Sequence, residues 1–178
     1  MLDVAGKLFY ANGIHAVGVD SIAAEAGVTK KTLYDRFGSK DALVARYLTE
    51  RDERWREHVR KVVEGGRTSP ARRPLLMFDA LEQWIATENP RGCAFVNAHA
   101  ELPDGAHPGR QAIKAQKDWM LGYLRDLVRA AGVRNPAKVA GSLFILLEGA
   151  TVAATLDVLP GAVADAKRVA RQLLESAA

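Results

Sequence analysis

The chain is short of sulfur, of sheet-forming pattern and of net charge. Its single cysteine, Cys93, excludes an intrachain disulfide and points to a reducing compartment, the cytoplasm. No stretch alternates Val, Ile or Thr with polar residues over strand length, which argues against a sheet. The N-terminus, MLDVAGKLFYANG, carries Asp3 and lacks the long apolar core of a signal peptide. The longest apolar stretch, Leu143 to Leu159, contains Glu148 and Asp157 and is shorter than the roughly 20 residues a membrane span needs. A core or interface helix is expected there, and no membrane partner. Internal repeats and low-complexity tracts are missing as well. A net charge of +4 over 178 residues, with a pI of about 9.3, permits a polyanionic partner without requiring one.

What is present is helix-forming. Hydrophobic residues make up 48% of the chain, enough for a sizeable core, and Ala, Leu, Arg and Glu are abundant. Gly and Pro fall at intervals, as punctuation between apolar stripes of helical period. The pattern predicts an all-α fold of about nine helices. The first carries Leu2, Ala5, Leu8 and Phe9 and ends at Gly13. Short helices follow over about Asp20–Ala26 and Lys30–Phe37, the second capped by Thr29 and stopped by Gly38. A long fourth helix spans about Lys40–Glu64, a fifth Pro74–Thr87, a sixth Cys93–Leu102 and a seventh Gly109–Ala131. Asn135-Pro136 opens an eighth, and Pro160-Gly161 separates it from a ninth that ends near Ser176. The expected organisation is a small head, residues 1–45, and a larger body, residues 46–178.

The informative stretch is VDSIAAEAGVTKKTLYDRFGSKDAL, residues 19–43. Ile22, Ala23 and Ala26 face inward on its first helix, Gly27 sits where the chain reverses, and Val28 plugs the turn. Leu33 and Phe37, four apart, form the inner face of the second helix. Its outer face presents Lys30, Lys31, Thr32, Tyr34, Asp35 and Arg36, a set that suits a major groove and its flanking phosphates. Thr29 and Lys40, at two helix starts, add backbone donors and a favourable dipole towards phosphate. Lys and Arg outside a helix are by themselves usually a solvated face. Here two packed helices, a glycine turn, caps and a tyrosine occur together, which favours double-stranded DNA as partner. Residues 1–50 hold six basic and six acidic groups, so the head is neutral and only the stretch from Lys30 to Lys40 is cationic.

This segment resembles the TetR family of transcriptional regulators. The residues that carry the resemblance are LF at 8–9, G at 13, IA at 22–23, AGV at 26–28, TLY at 32–34, F at 37 and SK-AL at 39–43. It implies a helix-turn-helix head with Thr29–Phe37 as recognition helix. Lys30, Lys31 and Thr32 then meet base edges or phosphates, and Tyr34 and Lys40 touch the backbone. It also implies a homodimer, a small-molecule effector, no enzymatic activity and no cofactor; repression is the common role. Two departures stand out. Where relatives often carry a phosphate-binding Thr or Ser ahead of the second helix, this chain has Val17 and Gly18, which leaves the contact to Ser21. The chain also begins almost at its first helix, so few minor-groove contacts are expected.

For the body, Trp55, His58, Met77, Leu81, Trp84, Trp119 and Tyr123 are candidates to line a ligand pocket or simply to fill a core. The sixth helix resembles a GC-F-N-EL pattern of some TetR-like sensor regions. Its Asn97 and Glu101 could bind a ligand or tie the helix to its neighbours. Cys93, near a helix start, could be a reactive sensor or an inert buried thiol. Cys93, His99, Glu101 and His107 match no standard zinc spacing, so no metal is expected. Apolar stripes of Leu143, Leu146, Leu147, Ala150 and Ala154, and of Ala166, Val169, Ala170 and Leu173, are candidates for a dimer interface or for intrachain packing. Two other functions compete: a dimeric DNA-binding protein without ligand, and an enzyme with Cys93 as nucleophile, for which no orienting third group is evident.

Overall fold

The computed structural model describes residues 1–177. Among them are nine α-helices and no strand: α1 (Leu2–Asn12), α2 (Val19–Glu25), α3 (Lys30–Phe37), α4 (Lys40–Glu64), α5 (Arg73–Glu88), α6 (Ala94–Glu101), α7 (Pro108–Ala130), α8 (Pro136–Thr155) and α9 (Ala162–Ser176). The segment between α4 and α5 contains a 3-10 turn over Pro70–Arg72. Local chemistry sets the ends of the early helices. The Thr32 N–H donates to the Thr29 hydroxyl at 3.0 Å, and the Ala42 N–H to the Ser39 hydroxyl at 3.0 Å, so α3 and α4 each start on a side-chain cap. Gly27, at φ +64°, makes the left-handed reversal between α2 and α3.

The chain divides into two compact units. The first joins Met1–Glu53 to Cys93–Gln116, so α6 and the start of α7 belong with the head helices. Its core packs Ala5, Phe9, Ile22, Leu33, Leu43, Val44 and Leu48 with Phe95, Ala98, Leu102 and Ile113. Shared burial of this kind, at about 25 cal/mol per Å² of apolar surface, makes α6 part of what stabilises the head.

The second unit comprises Arg54–Gly92 and the chain from Lys117 onwards. There α5 packs against α8 and α9, which also pack on each other. Met77, Phe78, Leu124, Leu143, Leu147 and Ala170 form its fully buried centre. Half-buried ion pairs brace it: Lys117 donates to both Glu148 oxygens at 2.7 and 2.8 Å, and Lys167 donates to Asp79. The apolar stretch expected to be too short for a membrane lies only in part, Leu143–Thr155, in a 20-residue helix that Pro136–Ser142 extends at the front; Leu156–Leu159 follow the helix. With a mean hydropathy of 1.5, α8 is long and apolar enough to cross a membrane. It buries Ala140, Leu143, Leu147, Ala150 and Thr151 within its unit and pairs Glu148 with Lys117.

Candidate nucleic-acid interface

The fold presents α3 as the sequence pattern predicts. Leu33 is fully buried and Phe37 half-buried, while Lys30, Lys31, Thr32, Tyr34, Asp35 and Arg36 are exposed. At 100° per residue, Lys31 and Asp35 occupy the centre of the outer face. Lys30 and Tyr34 form one flank, Thr32 and Arg36 the other. The Arg36 guanidinium lies over the Phe37 ring, 5.6 Å from its centroid. The two threonine hydroxyls at the start of α3 lie 2.8 Å apart, so Thr29 holds Thr32 as well as its backbone N–H. Thr29→Ala removes this cap and is expected to lower unfolding stability by about 1 kcal/mol; an unchanged thermal melt would show that the cap is idle.

Both lysines of α3 are engaged by carboxylates. Lys30 Nζ lies 3.0 Å from Asp20 on α2, and the hydrogen bond and charge of Asp20 raise its pKa above the ordinary lysine value. Lys31 Nζ lies 2.6 Å from Asp35, one turn along α3. Two of the six acidic groups counted over residues 1–50 therefore sit against the two lysines of α3. Ahead of α2, Val17 is buried in the head core and Gly18 supplies no side-chain cap. Ser21 is exposed on the first turn of α2, and Lys40 is half-exposed at the start of the 25-residue α4.

In the second unit, aromatic side chains converge. The Trp55 and Trp84 rings meet edge-on at 5.4 Å, and His58 lies 6.0 Å from Trp55 and 5.4 Å from Trp84. A His58 ring nitrogen is 2.9 Å from the Ala80 carbonyl. Met77 and Leu81 are buried in the same core cluster. Trp119 stacks on Tyr123 at 5.1 Å, with the Arg56 guanidinium 5.0 Å from the indole centroid. The Tyr123 hydroxyl donates to Glu64 at 2.7 Å; burial, then that bond and the Glu64 charge, push its pKa well above the usual phenol value.

Comparison with known proteins agrees with this architecture. Residues 1–47 match the family model for bacterial regulatory proteins of the tetR family, and residues 70–170 that for the tetracyclin repressor-like C-terminal domain. The chain belongs to the TetR family. It is 32% identical to SCO4454, a TetR-family transcriptional regulator from Streptomyces coelicolor, with a TM-score of 0.87 over 99% of this chain and 93% of that one. The HTH-type transcriptional regulator YjdC of Escherichia coli (strain K12) is 25% identical over 180 residues, covering 99% of this chain and 93% of the relative. LmrA of Bacillus subtilis (strain 168), also an HTH-type transcriptional regulator, is 28% identical over 153 residues, covering 84% and 81%. The chain is a DNA-binding transcriptional regulator of helix-turn-helix type.

Within this TetR fold the candidate pocket residues are divided between the two units. Trp55, His58, Met77, Leu81, Trp84, Trp119 and Tyr123 lie in the second unit, whereas Cys93, Asn97 and Glu101 lie in the first. Asn97 is exposed, Cys93 is the half-buried residue that precedes α6, and the Glu101 carboxylate accepts the His15 N–H at 2.8 Å. His99 contacts Arg110 at 2.6 Å and His107 lies 3.3 Å from Asp41. Among the described residues no three His, Cys, Asp or Glu side chains are grouped to hold a metal ion.

The candidate interface stripes also divide. Leu143, Leu147, Ala150, Ala166 and Ala170 are buried within the chain itself. Leu146, Ala154, Val169 and Leu173 are half-buried, the first two and Leu173 packed against that core. The face of α8 that remains open is Ile145, Gly149 and Val152, continued by Leu156 at the C-cap. Their spacing of four, three and four was visible in the sequence. Only the packing shows that the core takes the opposite stripe.

Proposed function

We propose that this TetR-family regulator is a ligand-responsive repressor that acts in the cytoplasm as a homodimer on a near-palindromic operator. The observation that carries the reading is the open stripe that runs along α8 to its C-cap residue, Leu156. Ile145, Val152 and Leu156 are more than half exposed in the single subunit. Apolar side chains at this density mark an interaction surface. A second copy matches such a face by two-fold symmetry. Two copies hold two recognition helices at one separation, which two half-sites must share. A neutral head that binds weakly alone gains from the pairing.

On this reading Lys31 and Asp35 face base edges, Lys30, Thr32, Tyr34 and Arg36 reach the groove walls and phosphates, and Thr29, Ser21 and Lys40 hold the backbone. The effector binds among Trp55, His58, Met77, Leu81, Trp84, Trp119 and Tyr123. The Trp55 indole N–H supports that placement: it is buried and no protein acceptor meets it, a condition that a ligand oxygen would relieve. An effector that alters the separation of the two heads misaligns one recognition helix with its half-site and releases the DNA. No catalytic role is proposed for Cys93, because His99 and His107 are engaged with Arg110 and Asp41.

The test is selection of genomic fragments with the purified protein. The expected product is a symmetric sequence with two protected half-sites, and asymmetric single half-sites would sink the dimer reading. Asp35→Asn is a second test. It frees Lys31 and removes a negative charge from the groove face, so binding should tighten severalfold and depend more steeply on salt. Fluorescence anisotropy across a salt series reads both quantities, and unchanged curves would mean that the pair does not restrain Lys31.

A further inference from the structure

Glu101 lies far outside the 1–47 stretch that matches the DNA-binding family model, yet its contact is with the head. It is the last residue of α6, where a carboxylate opposes the helix dipole, so α6 itself gains nothing from the charge. The side chain is 29% exposed, and its Oε2 accepts the backbone N–H of His15 at 2.8 Å. His15 sits in the turn that links α1 to α2. Gly13 begins the same turn at φ +91°, and a Cβ there would stand 3.2 and 3.3 Å from the two Glu101 carboxyl oxygens. The turn is thus shaped around this carboxylate. A few residues on, His107 Nε2 lies 3.3 Å from Asp41 at the start of α4. Between these two points Phe95, Ala98, Leu102 and Ile113 fill the core of the head.

We infer that Glu101 is a positioning residue for DNA binding. By holding the His15 N–H it fixes the α1–α2 turn, and that turn sets the angle at which α2, with α3 packed on it, is presented to the groove. A charge-assisted hydrogen bond is among the stronger single contacts, and nothing else is shown to accept this N–H. A misalignment small enough to leave the fold intact still separates α3 from base edges that require contact near 3 Å.

The experiment compares the full-length wild type with Glu101→Ala, Glu101→Gln and Glu101→Asp on a DNA duplex selected from a random library by the wild type. Glutamine keeps an acceptor oxygen at the same reach. It should bind the duplex within about threefold of wild type. Alanine has no acceptor and aspartate is one methylene too short. Both should weaken binding about tenfold or more. The His15 amide, followed by hydrogen exchange, should be protected in wild type and Glu101→Gln and lose protection in the other two. Glu101→Asp retains charge and polarity, so it serves if the alanine variant fails to fold. Full affinity in a folded Glu101→Ala or Glu101→Asp protein overturns the inference, as does a glutamine variant as weak as alanine. If the wild type itself selects no duplex, the DNA-binding reading fails, and the His15 exchange pattern still decides whether Glu101 holds the turn.

Discussion

Val152→Glu should convert the protein from a dimer to a monomer of about 19 kDa in sedimentation, with the helical content unchanged. Val152 is 52% exposed in the single subunit, Ile145 71% and Leu156 67%, so a polar side chain there disturbs no core. In a two-fold interface each patch meets its own copy, and one substitution appears twice. Two like charges would then be buried face to face without partners. Desolvation costs several kcal/mol per ion, enough to weaken dimerisation on the order of a thousandfold or more. Operator binding should fall with it, because the second half-site no longer binds intramolecularly. A charge at Leu147 makes the contrasting control. That side chain is 2% exposed, so a charge there should unfold the subunit rather than separate two folded ones. A Val152→Glu protein that stays dimeric at micromolar concentration would show that the subunits meet elsewhere.

That pair of substitutions also marks where the sequence was legible and where it was not. Helix ends were readable because their causes are local. Thr29 and Ser39 cap the next helix with their own hydroxyls, and α3 and α4 span Lys30–Phe37 and Lys40–Glu64 as their patterns predict. The outer face of α3 was readable for the same reason, since Leu33 and Phe37 reveal the inner one. On α8 nearly every position is apolar, so periodicity could not say which stripe the core takes. The choice of Leu143, Leu147 and Ala150 rather than Ile145 and Val152 is made by α5 and α9, which are remote in sequence. α6 posed the same problem at larger scale. A short helix with Phe95, Ala98 and Leu102 on one side fits any core, and nothing local says that its core is that of the head. Glu101 could be noticed from its motif, but its partner is a backbone N–H 86 residues earlier. The Lys31–Asp35 pair was visible as an i,i+4 spacing, while Lys30–Asp20 required the packing of α2 on α3.

Lys30→Ala and Tyr34→Ala should each abolish detectable operator binding at physiological salt while leaving the dimer intact, but for different reasons that one measurement separates. Lys30 and Tyr34 are one turn apart on the same flank of α3, exposed and clear of the Leu33 side. Neither substitution opens a cavity, and alanine favours the helix. Lys30 acts through charge. Its ammonium is bonded to Asp20, and a phosphate competes with Asp20 for the same ammonium. Each phosphate neutralised contributes about 0.9 to the slope of log affinity against log salt. One lysine lost from each of two subunits should therefore flatten that slope by roughly 2. Tyr34 is 39% exposed and brings a hydroxyl and a ring without charge, so its loss should lower affinity at every salt concentration and leave the slope alone. Because the head carries no surplus charge to compensate, each loss falls on both half-sites, on the order of a thousandfold in all for contacts of about 2 kcal/mol per site. Normal footprints from both variants would remove α3 from the interface. A Lys30→Ala protein with reduced affinity but an unchanged slope would show that Lys30 reads a neighbouring group and not a phosphate.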